Sequence, residues 1–145
     1  MSPLETKNPT NPVPGDSNRK PGIPKDATVL VVEDNALNMK LFRILLGQAG
    51  YDVMEAVDAE TAVRIARAQT PHLILMDIQL PGMDGLGATR LLKQDETLRE
   101  VPIVAVTSYA MPEDQARATA AGCCGYVSKP IDTHNFVEYI SQFIL

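Results

Sequence analysis

Four apolar runs in this chain are each followed, at once or nearly so, by residues capable of ionic or nucleophilic chemistry. Glu33-Asp34 comes after Thr28-Val29-Leu30-Val31-Val32, Asp77 after Leu73-Ile74-Leu75-Met76, Thr107-Ser108 after Ile103-Val104-Ala105-Val106, and Lys129-Pro130 just beyond Tyr126-Val127. Taken singly, an acid in such a position is an ordinary helix cap or solvated loop residue. Taken together, three carboxylates, a hydroxyl and an ammonium delivered from separate segments to one rim form a constellation with a chemical purpose.

Its electrostatics point to a missing cation. Two like charges about 4 Å apart repel by roughly 4 kcal/mol at an effective dielectric near 20, so three clustered carboxylates do not all stay ionised unaided. Lys129 offsets one of them and leaves a formal excess of two negative charges. Hard oxygen ligands without Cys or His select Mg²⁺, or Mn²⁺, over zinc. Mg²⁺ retains waters and accepts phosphate oxygens, so the rim is preset to receive a phosphoryl group.

The elements that must hold these residues can be read from the pattern. Three of the apolar runs are continuous rather than alternating, as expected of parallel strands covered on both faces. Between the first two, Leu37, Leu41, Ile44 and Leu45 make a one-sided helical stripe that Gly47 and Gly50 help to end, followed by a brief strand from Tyr51 to Ala56. Asp58 is placed to cap a helix that turns Ala62, Ile65 and Ala66 inward, and a third helix is predicted from about Asp84 to Gln94. A fourth starts near Pro112, with Glu113 and Asp114 favouring its positive N-terminus; its alanines bury little, so it should be the loosest helix. Residues 124–127 read as a fifth strand. Phe136, Ile140, Phe143 and Ile144 mark a closing helix, with Asp132 or Thr133 as cap.

Strict alternation of five strands and five helices implies an α/β fold: a doubly wound, flavodoxin-like parallel sheet of order 2-1-3-4-5, with chemistry gathered outside the carboxyl ends of the strands near the switch point between the first and third.

The rest of the composition narrows the function. At 145 residues, 45% hydrophobic and 21% charged, the chain is sized for one core. A net charge of −5 argues against a nucleic-acid backbone as partner. No apolar stretch suits a spanning helix or a secretory signal, so no membrane association is expected and the compartment is expected to be cytoplasmic. Cys123 and Cys124 are neighbours, with Cα atoms about 3.8 Å apart, too close for the usual disulfide; they read as free thiols. His72 and His134 lack partners at metal-ligand spacing. Residues 1–26, rich in proline, are expected to form a disordered tail ahead of a single domain at 27–145; Pro9-Thr10-Asn11-Pro12 has polyproline-ligand spacing but is short.

The motifs Val31-Val32-Glu33-Asp34-Asn35, Leu75-Met76-Asp77-Ile78-Gln79-Leu80-Pro81-Gly82-Met83-Asp84-Gly85, Thr107 and Tyr126-Val127-Ser128-Lys129-Pro130, in this order, resemble the receiver domain of bacterial response regulators over residues 27–145. The likeness is greatest to single-domain receivers and to receivers fused to hybrid histidine kinases. It implies that Asp77 accepts a phosphoryl group from a phosphohistidine on a histidine kinase or histidine phosphotransfer protein. Asp34, Asp77 and the backbone carbonyl of Gln79 would ligate Mg²⁺, Glu33 directly or through water. Lys129 would pair with Asp77 and then with a phosphoryl oxygen, and Thr107 would bond another. Thr107 and Tyr126 would form the switch, reshaping the face made by helix four, strand five and helix five for a protein effector. Lys129-Pro130 is the expected cis bond. Glu33 stands where many relatives have Asp, and Ser108 where Ala or Gly is usual. Tyr109 either lines the site or caps a loop.

The expected function is thus a signalling phosphoacceptor, not an enzyme acting on other substrates. With nothing after the last helix, output is expected through contact with another protein. The alternatives are a receiver excised from a hybrid kinase, a receiver that docks without phosphorylation, and a flavodoxin-like enzyme or nucleotide binder; the last should carry a glycine loop where Glu33-Asp34-Asn35 stands.

Overall fold

The computed structural model describes residues 27–80, 82, 84–108 and 111–144. The expected tail and Tyr109 lie outside the described residues. Strands β1 (Thr28–Val32), β2 (Asp52–Ala56), β3 (Leu73–Asp77), β4 (Ile103–Thr107) and β5 (Gly125–Ser128) alternate with helices α1 (Ala36–Gln48), α2 (Ala59–Ala68), α3 (Gly85–Gln94), α4 (Pro112–Ala121) and α5 (Phe136–Ser141). All pairings are parallel and the sheet order is β2-β1-β3-β4-β5. Among the described residues, no helix is long and apolar enough to cross a membrane.

The uninterrupted apolar runs are explained by burial on both sides. Every residue of β1, β3 and β4 is buried. Successive side chains alternate between two cores. Leu30, Val32, Ile74, Met76 and Ala105 face α2, α3 and α4, whereas Val29, Val31, Leu75, Val104 and Val106 face α1 and α5. On the second face Phe42 and Phe136 meet with ring centroids 5.4 Å apart.

Helix starts follow local chemistry. Asn35, Asp58 and Asp84 each accept a hydrogen bond from the backbone N–H three residues on. Pro112 opens α4 and Gly122 ends it at φ 118°, a left-handed conformation that favours glycine. As expected, α4 buries only alanines, Ala118 and Ala121.

Two local expectations are corrected. The inward face of α1 is Met39, Phe42 and Leu46; Leu37 is 78% exposed and Ile44 44%. The helix is apolar over so much of its circumference that two arcs competed, and the one carrying the phenyl ring won the core. At the other end of the chain, α5 begins at Phe136 with Asn135 as N-cap, neither Asp132 nor Thr133. Asp132 instead closes the turn before it, accepting from the His134 N–H at 3.0 Å and the Asn135 amide at 2.8 Å.

The exposed edge of β5 is covered from α5. Tyr139 and Phe143 lie so close that a methyl on Gly125 would sit 2.8 Å from each of them, and the Tyr139 hydroxyl accepts the Tyr126 N–H at 3.0 Å.

Candidate functional site

Parallel register brings the strand-end residues together. Val32 is opposite Met76, so Glu33 and Asp77 become neighbours across β1 and β3. Asp77 is opposite Val106, which puts Thr107 one step beyond it on β4, and Thr107 is opposite Ser128, which places Lys129 beside it. The Lys129 N–H donates to the Thr107 carbonyl at 2.8 Å and fixes that approach. The Lys129–Pro130 peptide bond is cis.

The side chains converge from there. Lys129 Nζ donates to Asp77 Oδ2 at 3.0 Å and lies 2.9 Å from Glu33 Oε1. The Gln79 N–H donates to Asp77 Oδ1 at 2.8 Å, and the Asn35 N–H to Glu33 Oε2 at 3.1 Å. Oxygens of Glu33, Asp34 and Asp77 all lie within 4.8 Å of one another. Glu33 and Asp77 are buried and Asp34 is exposed, so the cluster opens to solvent on the Asp34 side.

Burial pushes the Glu33 carboxyl above its ordinary pKa, opposed by the Lys129 ammonium and the Asn35 amide and reinforced by the Asp77 charge. For Lys129, burial alone would lower the pKa, but its bonds to Glu33 and Asp77 prevail and hold it above the usual value. One firmly charged ammonium therefore faces three acids.

The donor set fits a hard divalent cation. Glu33 Oε1 is a buried oxygen that no well-directed hydrogen bond reaches among the described residues, although the Lys129 charge is close. Such an oxygen beside two further carboxylates, one open to water, suits an ion that keeps part of its hydration.

Thr107 is fully buried at the end of β4; burial raises the pKa of the Tyr126 phenol on the neighbouring strand, and the nearby Thr107 hydroxyl opposes that rise. Tyr126 is half-buried and packs on the α2–α4 side of the sheet. The Gln79 side chain is the participant that the sequence did not disclose. Its Oε1 accepts the Ser108 N–H at 2.9 Å and the Thr107 hydroxyl at 3.4 Å. Nothing in a glutamine within a turn signals that contact, which spans about thirty residues of chain.

The residues expected to stand apart do so. His72 precedes β3 at the far end of the sheet, where its Nδ1 accepts the Thr28 N–H at 3.0 Å. His134 is exposed on the turn before α5. Burial raises the Cys123 thiol to about 11, which keeps it protonated, and Cys124 is exposed.

Fold and site together define a class: a doubly wound α/β domain with a lysine-countered acidic cluster at the carboxyl edge of the sheet, near its switch point. The family model described as the response regulator receiver domain matches residues 29–141, and this chain belongs to that family, whose members are signalling proteins. The polar-differentiation response regulator DivK of Brucella ovis is 47% identical over 117 residues, covering 81% of this chain and 95% of that one. Among solved structures, the receiver domain of a sensor histidine kinase from Pseudomonas aeruginosa, with magnesium coordinated in its active-site cleft, superposes with a TM-score of 0.76 at 35% identity, covering 81% of this chain and 97% of that chain. The chemotaxis response regulator CheY4 of Vibrio cholerae shares the fold, with a TM-score of 0.79 at 24% identity, covering 83% of this chain and all of that one.

Proposed function

We propose that the unit beginning at residue 27 accepts a phosphoryl group on Asp77 from a phosphohistidine partner, in a Mg²⁺-dependent reaction, and signals by changing its contacts with other proteins. The observation that carries this reading is the convergence on Asp77: an ammonium on one carboxylate oxygen, two further acids within 4.8 Å, and hydroxyl and amide donors at the end of the adjacent strand.

A carboxylate oxygen of Asp77 attacks phosphorus, the bond from phosphorus to the donor imidazole nitrogen breaks, and that nitrogen keeps the bonding pair. The nucleophile is modest, so the chain contributes position and charge more than basicity. Lys129 moves from its partner carboxylate to a phosphoryl oxygen, and the Thr107 hydroxyl turns to another. Asp34, Asp77 and the Gln79 backbone carbonyl are the ligands for Mg²⁺, or Mn²⁺, with Glu33 binding directly or through water. The ion supplies neutralisation of the charge gathered around the transferred group.

The partner is a histidine kinase or histidine phosphotransfer protein. Leu37, Leu41 and Ile44 share one face of α1, the helix that starts just after Glu33-Asp34, with Leu37 and Ile44 exposed. An apolar surface beside the acceptor rim suits a protein donor. Output passes through α4, β5 and α5, because Thr107 and Tyr126 connect the site to that face and α4 is lightly anchored.

Incubation with a small phosphodonor and Mg²⁺, followed by intact mass measurement, tests the assignment. The wild type should gain a phosphate-sized increment and Asp77→Asn should not; an adduct that persists in the variant, or none in the wild type, overturns it.

A further inference from the structure

Two donors at the end of β4 point at a single oxygen. The Ser108 N–H and the Thr107 hydroxyl both approach Gln79 Oε1, at 2.9 and 3.4 Å. The Ser108 N–H requires an acceptor, which settles the carboxamide with its oxygen toward β4. The Thr107 side chain also neighbours the Tyr126 phenol, whose pKa it draws down against the rise that burial causes. Thr107 and Ser108 thus both donate to the same Gln79 oxygen, and Thr107 in turn neighbours Tyr126 on the adjacent strand.

Gln79 is also tied to the acceptor, since its backbone N–H rests on Asp77 Oδ1 at 2.8 Å. An N–H and an O–H converging on one oxygen beside a nucleophile form the kind of seat that stabilises a developing oxyanion. In this structure the carboxamide fills that seat. A phosphoryl oxygen arriving on Asp77 needs the same two donors, so both oxygens cannot use them at once. Gln79 is exposed, whereas Asp77 and Leu80 on either side are buried, so its side chain can swing into solvent while the loop backbone stays anchored.

Resting on the reading of Asp77 as phosphoacceptor, we propose that the Gln79 carboxamide is a resting-state latch: it holds the place of a phosphoryl oxygen on Thr107 and Ser108, keeps Thr107 and Tyr126 in their unphosphorylated arrangement, and is displaced when the group arrives. Gln79 is a positioning residue in this role, acting through Thr107 and Ser108.

The test compares wild type, Gln79→Ala and Gln79→Glu. In the metal-free, unphosphorylated protein, NMR of Gln79→Ala should show the Ser108 amide moved upfield and exchanging faster, with the Tyr126 ring resonances shifted. With a small phosphodonor and Mg²⁺, the same variant should acquire phosphate on Asp77 about three- to tenfold faster, the scale of one or two neutral hydrogen bonds no longer to be broken. Gln79→Glu keeps an acceptor oxygen, so it should preserve the Ser108 amide position and react no faster than wild type. Unchanged Ser108 and Tyr126 resonances in Gln79→Ala, an unaltered or slower reaction, or a Glu variant that behaves like Ala would each overturn the latch. Failure of the wild type to acquire phosphate on Asp77 would instead overturn the reading beneath it, a result distinguishable because the resting-state resonances do not depend on transfer.

Discussion

Gly85 backs directly onto Asp77: a methyl group at its Cα would sit 2.3 Å from the Asp77 carbonyl oxygen and 2.6 Å from the Ile78 Cα. The first turn of α3 therefore presses against the end of β3, and the loop bearing Gln79 is folded over it. The reason for glycine here is close approach of two backbone segments. Gly85→Ala should destabilise the domain by about 1–3 kcal/mol through overpacking and slow phosphate uptake by displacing that loop. Gly47 is the control. A methyl there meets nothing within 4 Å, so Gly47→Ala should be neutral or stabilise by up to about 1 kcal/mol. Denaturant unfolding checks both, and equal effects would refute the packing argument.

Glu33 should make the metal-free protein less stable as pH rises. A carboxyl whose pKa is higher in the fold than in the unfolded chain holds its proton more tightly when folded. Its contribution is fully present below the ordinary value near 4.5 and is lost as pH climbs through the raised folded value. Glu33→Gln lacks that loss. Urea melts in chelator across this interval should therefore show the wild type falling relative to the variant. Millimolar Mg²⁺, which favours the ionised form, should restore the wild type and do less for the variant; parallel pH curves would contradict the assignment.

Thr107→Ala separates transfer from signalling. Asp77 and Lys129 remain in contact without the hydroxyl, so the variant should still take up phosphate, with stability lower by about 1 kcal/mol for the lost buried hydrogen bond. The hydroxyl that neighbours the Tyr126 phenol is gone, and the ring resonances should be the same with and without phosphate. A tyrosine response equal to that of wild type would show that coupling runs by another route.

Leu37→Glu should discriminate between donors. The side chain is 78% exposed, so the change should cost no more than about 0.5 kcal/mol of stability and leave labelling by a small phosphodonor untouched. Transfer from a phosphorylated histidine phosphotransfer domain should fall about tenfold or more, as expected for a charge placed at an apolar contact. Loss of both reactions together would mean that α1 acts on the site itself and not on docking.

The sequence alone determined the features whose causes are local. Continuous apolar runs marked β1, β3 and β4 because strands covered on both faces need apolar residues at every position, and Asp58, Asp84 and Pro112 announced their helices because capping is settled within one turn. The acids, the hydroxyl and the lysine were visible as strand-end residues for the same reason. Only the tertiary structure decided how they share charge, with Glu33 buried against Lys129 while its neighbour Asp34 stays in water, because that depends on the register of four strands. It also decided which arc of α1 enters the core, since a helix apolar on two faces is oriented by its neighbours and not by its own pattern. The Gln79 carboxamide belongs to the same category: an exposed, flexible side chain takes its direction from the donors that folding brings within reach, and those lie on another strand.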